Sequence, residues 1–137
     1  MKQHLTHIVL TAGLAALLGS VTLSAQDRTE IAEVPFAFHA NNRTLPAGKY
    51  KVQEYREGLF IMYDKDAHSL FLPAPNVETR EPSAPSLVFR CYGNERVLAT
   101  IWLVDGSGYD LGKSSIEKNL NRKLQMATLL EVRLTER

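Results

Sequence analysis

From Ala32 onward the chain alternates apolar and polar positions over several short stretches. Ala32, Val34, Phe36 and Phe38 alternate with Glu33, Pro35, Ala37 and His39, the period-two signature of a strand with one buried face. Tyr50 and Val52 alternate with Lys49, Lys51 and Gln53 in the same way. Leu59 to Tyr63 is an unbroken apolar run, followed by the turn-like Asp64-Lys65-Asp66 and a second run from Ser69 to Leu72. Further on, Leu87, Phe89 and Cys91 oppose Val88, Arg90 and Tyr92, and Gly93-Asn94 supplies a hairpin turn. Val97, Ala99, Ile101 and Leu103 then alternate with Leu98, Thr100, Trp102 and Val104, and Leu130, Val132 and Leu134 form a last candidate strand.

One segment has the other period. Ser114 and Glu117 have the spacing of a capping box. Ile116, Leu120 and Leu124 fall at i, i+4 and i+8, an apolar stripe expected to lie against the sheet. Lys118, Arg122 and Lys123 occupy the polar side and the end, where cations suit the helix dipole. Short strands at close spacing leave no room for the helical crossovers that parallel pairing needs. The expected fold is therefore mainly β: a small antiparallel barrel or sandwich, a meander of about seven or eight strands, with one short helix in the C-terminal half.

The start of the chain reads differently. Lys2 is followed by an uncharged apolar run, Ile8 to Leu23, and then by Ser24-Ala25. This order is that of a secretory signal peptide, residues 1–25, with cleavage after Ala25. A cut after Ser24 is the variant, and a retained anchor the competing reading, although the run is short for a spanning helix and carries Gly13 and Gly19. Residues 26–137 are then a single β-rich domain, exported to the periplasm or beyond.

Charge and cysteine narrow the partners. The chain has 16 basic and 15 acidic side chains, and losing Lys2 leaves a neutral mature protein. A nucleic-acid binder would carry a basic excess, and neutrality supplies no attraction to an anionic membrane after cleavage. Cys91 is the single cysteine, so no internal disulfide forms. Its place beside Leu87 and Phe89 makes it an expected core thiol.

The stretch Pro35 to Tyr50 looks at first like a site. Asn41-Asn42 tolerates the left-handed backbone of a tight turn, and Leu45-Pro46-Ala47-Gly48 has the composition of a type I turn. Each unusual residue thus has a conformational task. His39 is the first candidate base or ligand, but the only other histidine of the mature chain, His68, lies in a separate turn. Zinc wants three or four ligands, so neither a metal nor another cofactor is expected. Asp105 to Asp110 lacks the glycine of a calcium loop, the lysine of a phosphate loop and the G-x-S-x-G of a nucleophile elbow, and reads as a glycine-rich turn. Residues 72–86 hold four of the six prolines. They are expected to form a long loop, with room for a short edge piece at Asn76-Val77-Glu78, and to act as a lid, a partner surface or a mere excursion. Trp102, Tyr92 and Tyr109 are candidates for an aromatic patch that contacts a sugar or a partner, or else Trp102 is covered by the helix stripe.

Val34-Pro35-Phe36-x-Phe38, Asn42-x-x-Leu45-Pro46-Ala47-Gly48-x-Tyr50-x-Val52, Leu87-Val88-Phe89-Arg90-x-Tyr92-Gly93, Ile101-Trp102 and Gly106-x-Gly108 together resemble a group of small exported bacterial β-rich proteins of unknown function. The resemblance spans most of residues 28–135 and implies an exported β domain, with no activity or site attached. Three function classes follow: a non-catalytic exported domain that binds a protein or envelope component or serves structurally; a carrier of a small apolar ligand; and an enzyme. The first is expected, because no serine–histidine–acid spacing, paired-carboxylate motif or metal cluster is recognisable.

Overall fold

Pro35 splits the first alternating run into two strands that serve different parts of the fold. The computed structural model describes residues 29–124 and 128–136. The expected signal peptide, with its cleavage after Ala25, lies outside them. The strands are β1 (Thr29–Val34), β2 (Phe38–Ala40), β3 (Arg43–Leu45), β4 (Gly48–Arg56), β5 (Leu59–Tyr63) and β6 (Ser69–Pro73). After them come β7 (Asn76–Thr79), β8 (Ser86–Tyr92), β9 (Glu95–Trp102), β10 (Ser107–Asp110), helix α1 (Ser115–Leu124) and β11 (Thr128–Glu136).

The sheet runs in the order β3-β2-β9-β8-β11-β1-β4-β5-β6, with β10 joining β9 to β7. It forms a curled half-barrel. The expected mainly β class with one short helix is present, but the count and topology are corrected. Eleven strands are found among the described residues, and β2 pairs with β9 in parallel, His39 opposite Val97. The order is also no meander, since β1 lies between β11 and β4. The physical reason is strand length. β2, β3, β7 and β10 are three or four residues each, too short to announce themselves by alternation.

The asparagine pair turns as expected, while Pro46-Ala47 forms a bend between β3 and β4. Asn41 and Asn42 both have positive φ, 45° and 62°, the two left-handed residues of a tight hairpin turn, here between β2 and β3. Tyr50 reaches back and donates its hydroxyl to the Pro46 carbonyl, fixing the corner into β4. The proline-rich stretch contains β7 as a true ladder partner of β10, Val77 opposite Tyr109.

The inner face is filled by rings. Phe38 meets Tyr50 at 5.5 Å and Phe89 at 5.3 Å between centroids, Phe36 meets Phe89 at 5.1 Å, and Phe60 meets Tyr109 at 5.0 Å, all edge to face. Each fully buried phenylalanine contributes about 2–3 kcal/mol. Strand β9 departs from alternation: Val97 to Ile101 are all buried. A bulge opposite Val88 and Phe89 inserts Ala99, so Val88 faces Thr100 and Phe89 faces Leu98. The helix lies against β8 as expected, but its apolar stripe is only partly covered. Leu124 is exposed, Ile116 and Leu120 are half-buried, and the buried residue of α1 is Glu117. Cys91, near the end of β8, is partly exposed rather than a core thiol.

Candidate functional site

His39 leaves β2 between two hairpins. Its Nε2 stands 2.6 Å from Glu95 Oε2, and its Nδ1 stands 3.0 Å from Thr44 Oγ1. A carboxylate only accepts, so Nε2 donates to Glu95 and the Thr44 hydroxyl donates to Nδ1 in the neutral ring. Carboxylate, imidazole and hydroxyl in line are the parts of an activated nucleophile. Here the line follows from strand register, because His39 and Thr44 are direct cross-strand neighbours. Thr44 is open to solvent, without the dry surroundings that make charge stabilisation effective in catalysis. The arrangement ties the β2–β3 hairpin to the β8–β9 turn.

Tyr92 belongs to a different cluster. Glu117 is fully buried against the outer side of β8. It accepts from Arg90 Nε, from Arg90 Nη2 at 3.1 Å and from the Tyr92 hydroxyl at 2.8 Å. Arg90 also reaches Gly112 O at 3.3 Å and Asp110 at 3.6 Å. Burial works against the Arg90 charge, but the bonds and charge of Glu117 outweigh it and hold the guanidinium pKa above its ordinary value. Burial, then the hydrogen bond to Glu117, raises the Tyr92 phenol. These groups pin the helix to the sheet.

Tyr109 and Trp102 sit on neighbouring strands but opposite faces. Tyr109 is buried against Phe60. Burial, then the charges of Glu54 and Glu57, raises its phenol pKa. Glu54 is itself raised by burial, with Asp105 and Glu57 adding to the shift and the Tyr109 hydrogen bond opposing it. Trp102 pairs with Gly108, and the Arg80 guanidinium lies 4.2 Å from the ring centroid. Gly108 has a packing reason, since a Cβ there would fall 2.4 Å from the Trp102 ring. Trp102 is therefore covered by Arg80 and β10, not by the helix stripe. Register puts Tyr92 opposite Glu95 and Trp102 opposite Ser86, the two ends of the β8–β9 hairpin. The three aromatic candidates do not meet, and His39 lies near the Tyr92 end.

Two features escaped the sequence reading. Asp64, Asp66 and His68 bring one ligand atom each within 4.8 Å of one another; the D-x-D-x-H spacing was the available signal. The Asp64 carboxylate orders its own turn: Oδ1 accepts from the Asp66 and His68 amides at 2.9 Å, and Oδ2 meets His68 Nδ1 at 2.9 Å. Desolvation pushes this carboxyl up, but these bonds and the His68 charge together outweigh it, and the Asp64 pKa falls below its ordinary value.

The second feature is the outer face of β4-β5-β6. Tyr55 is 64 % and Phe71 51 % exposed, with ring centroids 6.4 Å apart, while Ile61 between their strands is only 5 % exposed. Ile61 is the cross-strand partner of both Gln53 and Phe71, so it shares their outward side. Its burial there is the work of the surrounding side chains. The sequence signal was the unbroken apolar run from Leu59, which alternation alone cannot divide between two faces. No protein-family model, curated protein or solved structure matches the chain.

Proposed function

We propose that this chain is an exported, non-catalytic β domain of barrel type that binds an envelope component through the outer face of β4-β5-β6. The observation that carries this reading is the exposed aromatic pair Tyr55 and Phe71 on an ordered three-stranded surface. Large rings left in water on a regular sheet mark contact surfaces more often than single exposed residues do. The signal-like amino terminus, the neutral charge of residues 26–137 and the resemblance to small exported bacterial proteins support export. The carrier reading is weaker, because Phe38, Tyr50, Phe60, Phe89 and Tyr109 occupy the space between the sheet's two halves.

Co-sedimentation with the insoluble envelope fraction of the host tests the reading. The protein is expected in the pellet, and a Tyr55→Ala/Phe71→Ala variant with an unchanged circular dichroism spectrum is expected in the supernatant. A native protein that stays soluble, or a variant that pellets equally, overturns it.

A further inference from the structure

Beside the aromatic pair, the outer face of β4-β5-β6 opens into a groove of about 390 Å³ whose walls include Thr29, Lys51, Gln53, Tyr63, Asp64 and Lys65. Its charge is unbalanced. Lys49, two residues before Lys51 on the same face, is paired to Glu33 at 3.1 Å, but among the described residues neither Lys51 nor Lys65 has an acidic partner. The one acid in the wall, Asp64, has both oxygens committed to its turn and His68. The lining thus carries two lysines against one ionised carboxylate on a protein whose mature chain is neutral. Thr29, Gln53 and Tyr63 add a hydroxyl, an amide and a phenol, groups that both donate and accept.

The ladder extends this groove into a track. Lys51, Tyr63 and Ser69 form one cross-strand row, and Gln53, Ile61 and Phe71 form the next. Tyr55 follows at the bulge between Glu54 and Arg56, its ring against that of Phe71. Rows of one face are about 7 Å apart, so the two rows and Tyr55 span about 14 Å, a length suited to a chain rather than a single small anion. We infer that this track binds an acidic polysaccharide, its carboxylates on Lys51 and Lys65, its hydroxyls on Gln53, Tyr63 and Thr29, and its sugar faces against Phe71 and Tyr55. The inference rests on the proposed function and names the chemical class of the envelope component.

Calorimetric titration of the purified protein with an oligogalacturonate tests it. Saturable binding is expected that weakens about threefold with each of Lys51→Gln and Lys65→Gln, and about tenfold when the uronates are methyl-esterified. Phe71→Ala is expected to weaken binding about fivefold. Unchanged thermal midpoints show that the lysine variants fold. No binding to the oligogalacturonate, equal binding to polyglutamate or to phosphatidylglycerol vesicles, or lysine variants that bind as the native protein does would each overturn the inference. Envelope co-sedimentation separates the two readings. If the native protein still pellets while oligogalacturonate fails, the acidic polysaccharide falls and the envelope-binding reading stands. If it does not pellet, that reading falls too.

Discussion

Glu117 occupies the position from which a capping-box carboxylate would turn back to the helix start, yet its oxygens go to Arg90 and Tyr92. The Ser114 half of the motif is in place, with the Glu117 amide donating to Ser114 Oγ at 3.2 Å. A buried carboxylate is retained only where charge and hydrogen bonds compensate its lost hydration. Removing it would leave the Arg90 charge and the Tyr92 hydroxyl without that partner. Glu117→Ala is expected to destabilise the fold by about 3 kcal/mol, read as a lower urea midpoint, and Tyr92→Phe by about 1 kcal/mol. The spacing Ser-x-x-Glu was legible in the sequence. The destination of the carboxylate was not, because Arg90 and Glu117 are brought together by strand β8 and not by any local pattern.

At the scale of elements, one glycine within β10 and one just before it decide how the strand fits. Gly108 makes room for the Trp102 ring, and Gly106, at φ 90°, has the Arg80 carbonyl oxygen 2.1 Å from where a Cβ would stand. Arg80 in turn donates its amide to Gly106 O at 2.9 Å and covers Trp102 with its guanidinium. Gly108→Ala is therefore expected to cost about 2–3 kcal/mol and to shift tryptophan fluorescence to the red as Trp102 is pushed into water; native-like emission would refute this packing. The glycine-rich turn expected over Asp105 to Asp110 is present only at its start. Four of its six residues are strand, and their partner β7 lies within the proline-rich stretch. Proline content excluded a central strand, and the short edge piece expected at Asn76-Val77-Glu78 is β7, between Pro75 and Pro82; its pairing with β10 was not legible.

Across the whole molecule, the Asn41-Asn42 turn links parts distant in sequence. Asn42 Oδ1 accepts from the Ile116 amide at 3.2 Å, capping α1 from 74 residues away, and Asn41 Nδ2 donates to the Phe71 carbonyl at 3.4 Å, joining the β2 end of the sheet to β6. Asn42→Gly keeps a residue that accepts positive φ and removes the cap. It is expected to cost about 1 kcal/mol and to speed hydrogen exchange at Ile116 while the β8 and β9 amides stay protected. Unchanged exchange at Ile116 would show that the cap contributes nothing.

Local patterns determined by themselves that this chain is strand-built, that Asn41-Asn42 turns and that a helix starts after Ser114. Those features are local, set by side-chain alternation, allowed φ and the hydrogen-bonding reach of a hydroxyl. Tertiary structure alone decided the order of the strands, the parallel contact of β2 with β9, the burial of Glu117 and the exposure of Tyr55 and Phe71. Each of these depends on which segments meet across the curled sheet, and a periodic pattern says which way a side chain points along its strand without saying what stands opposite it.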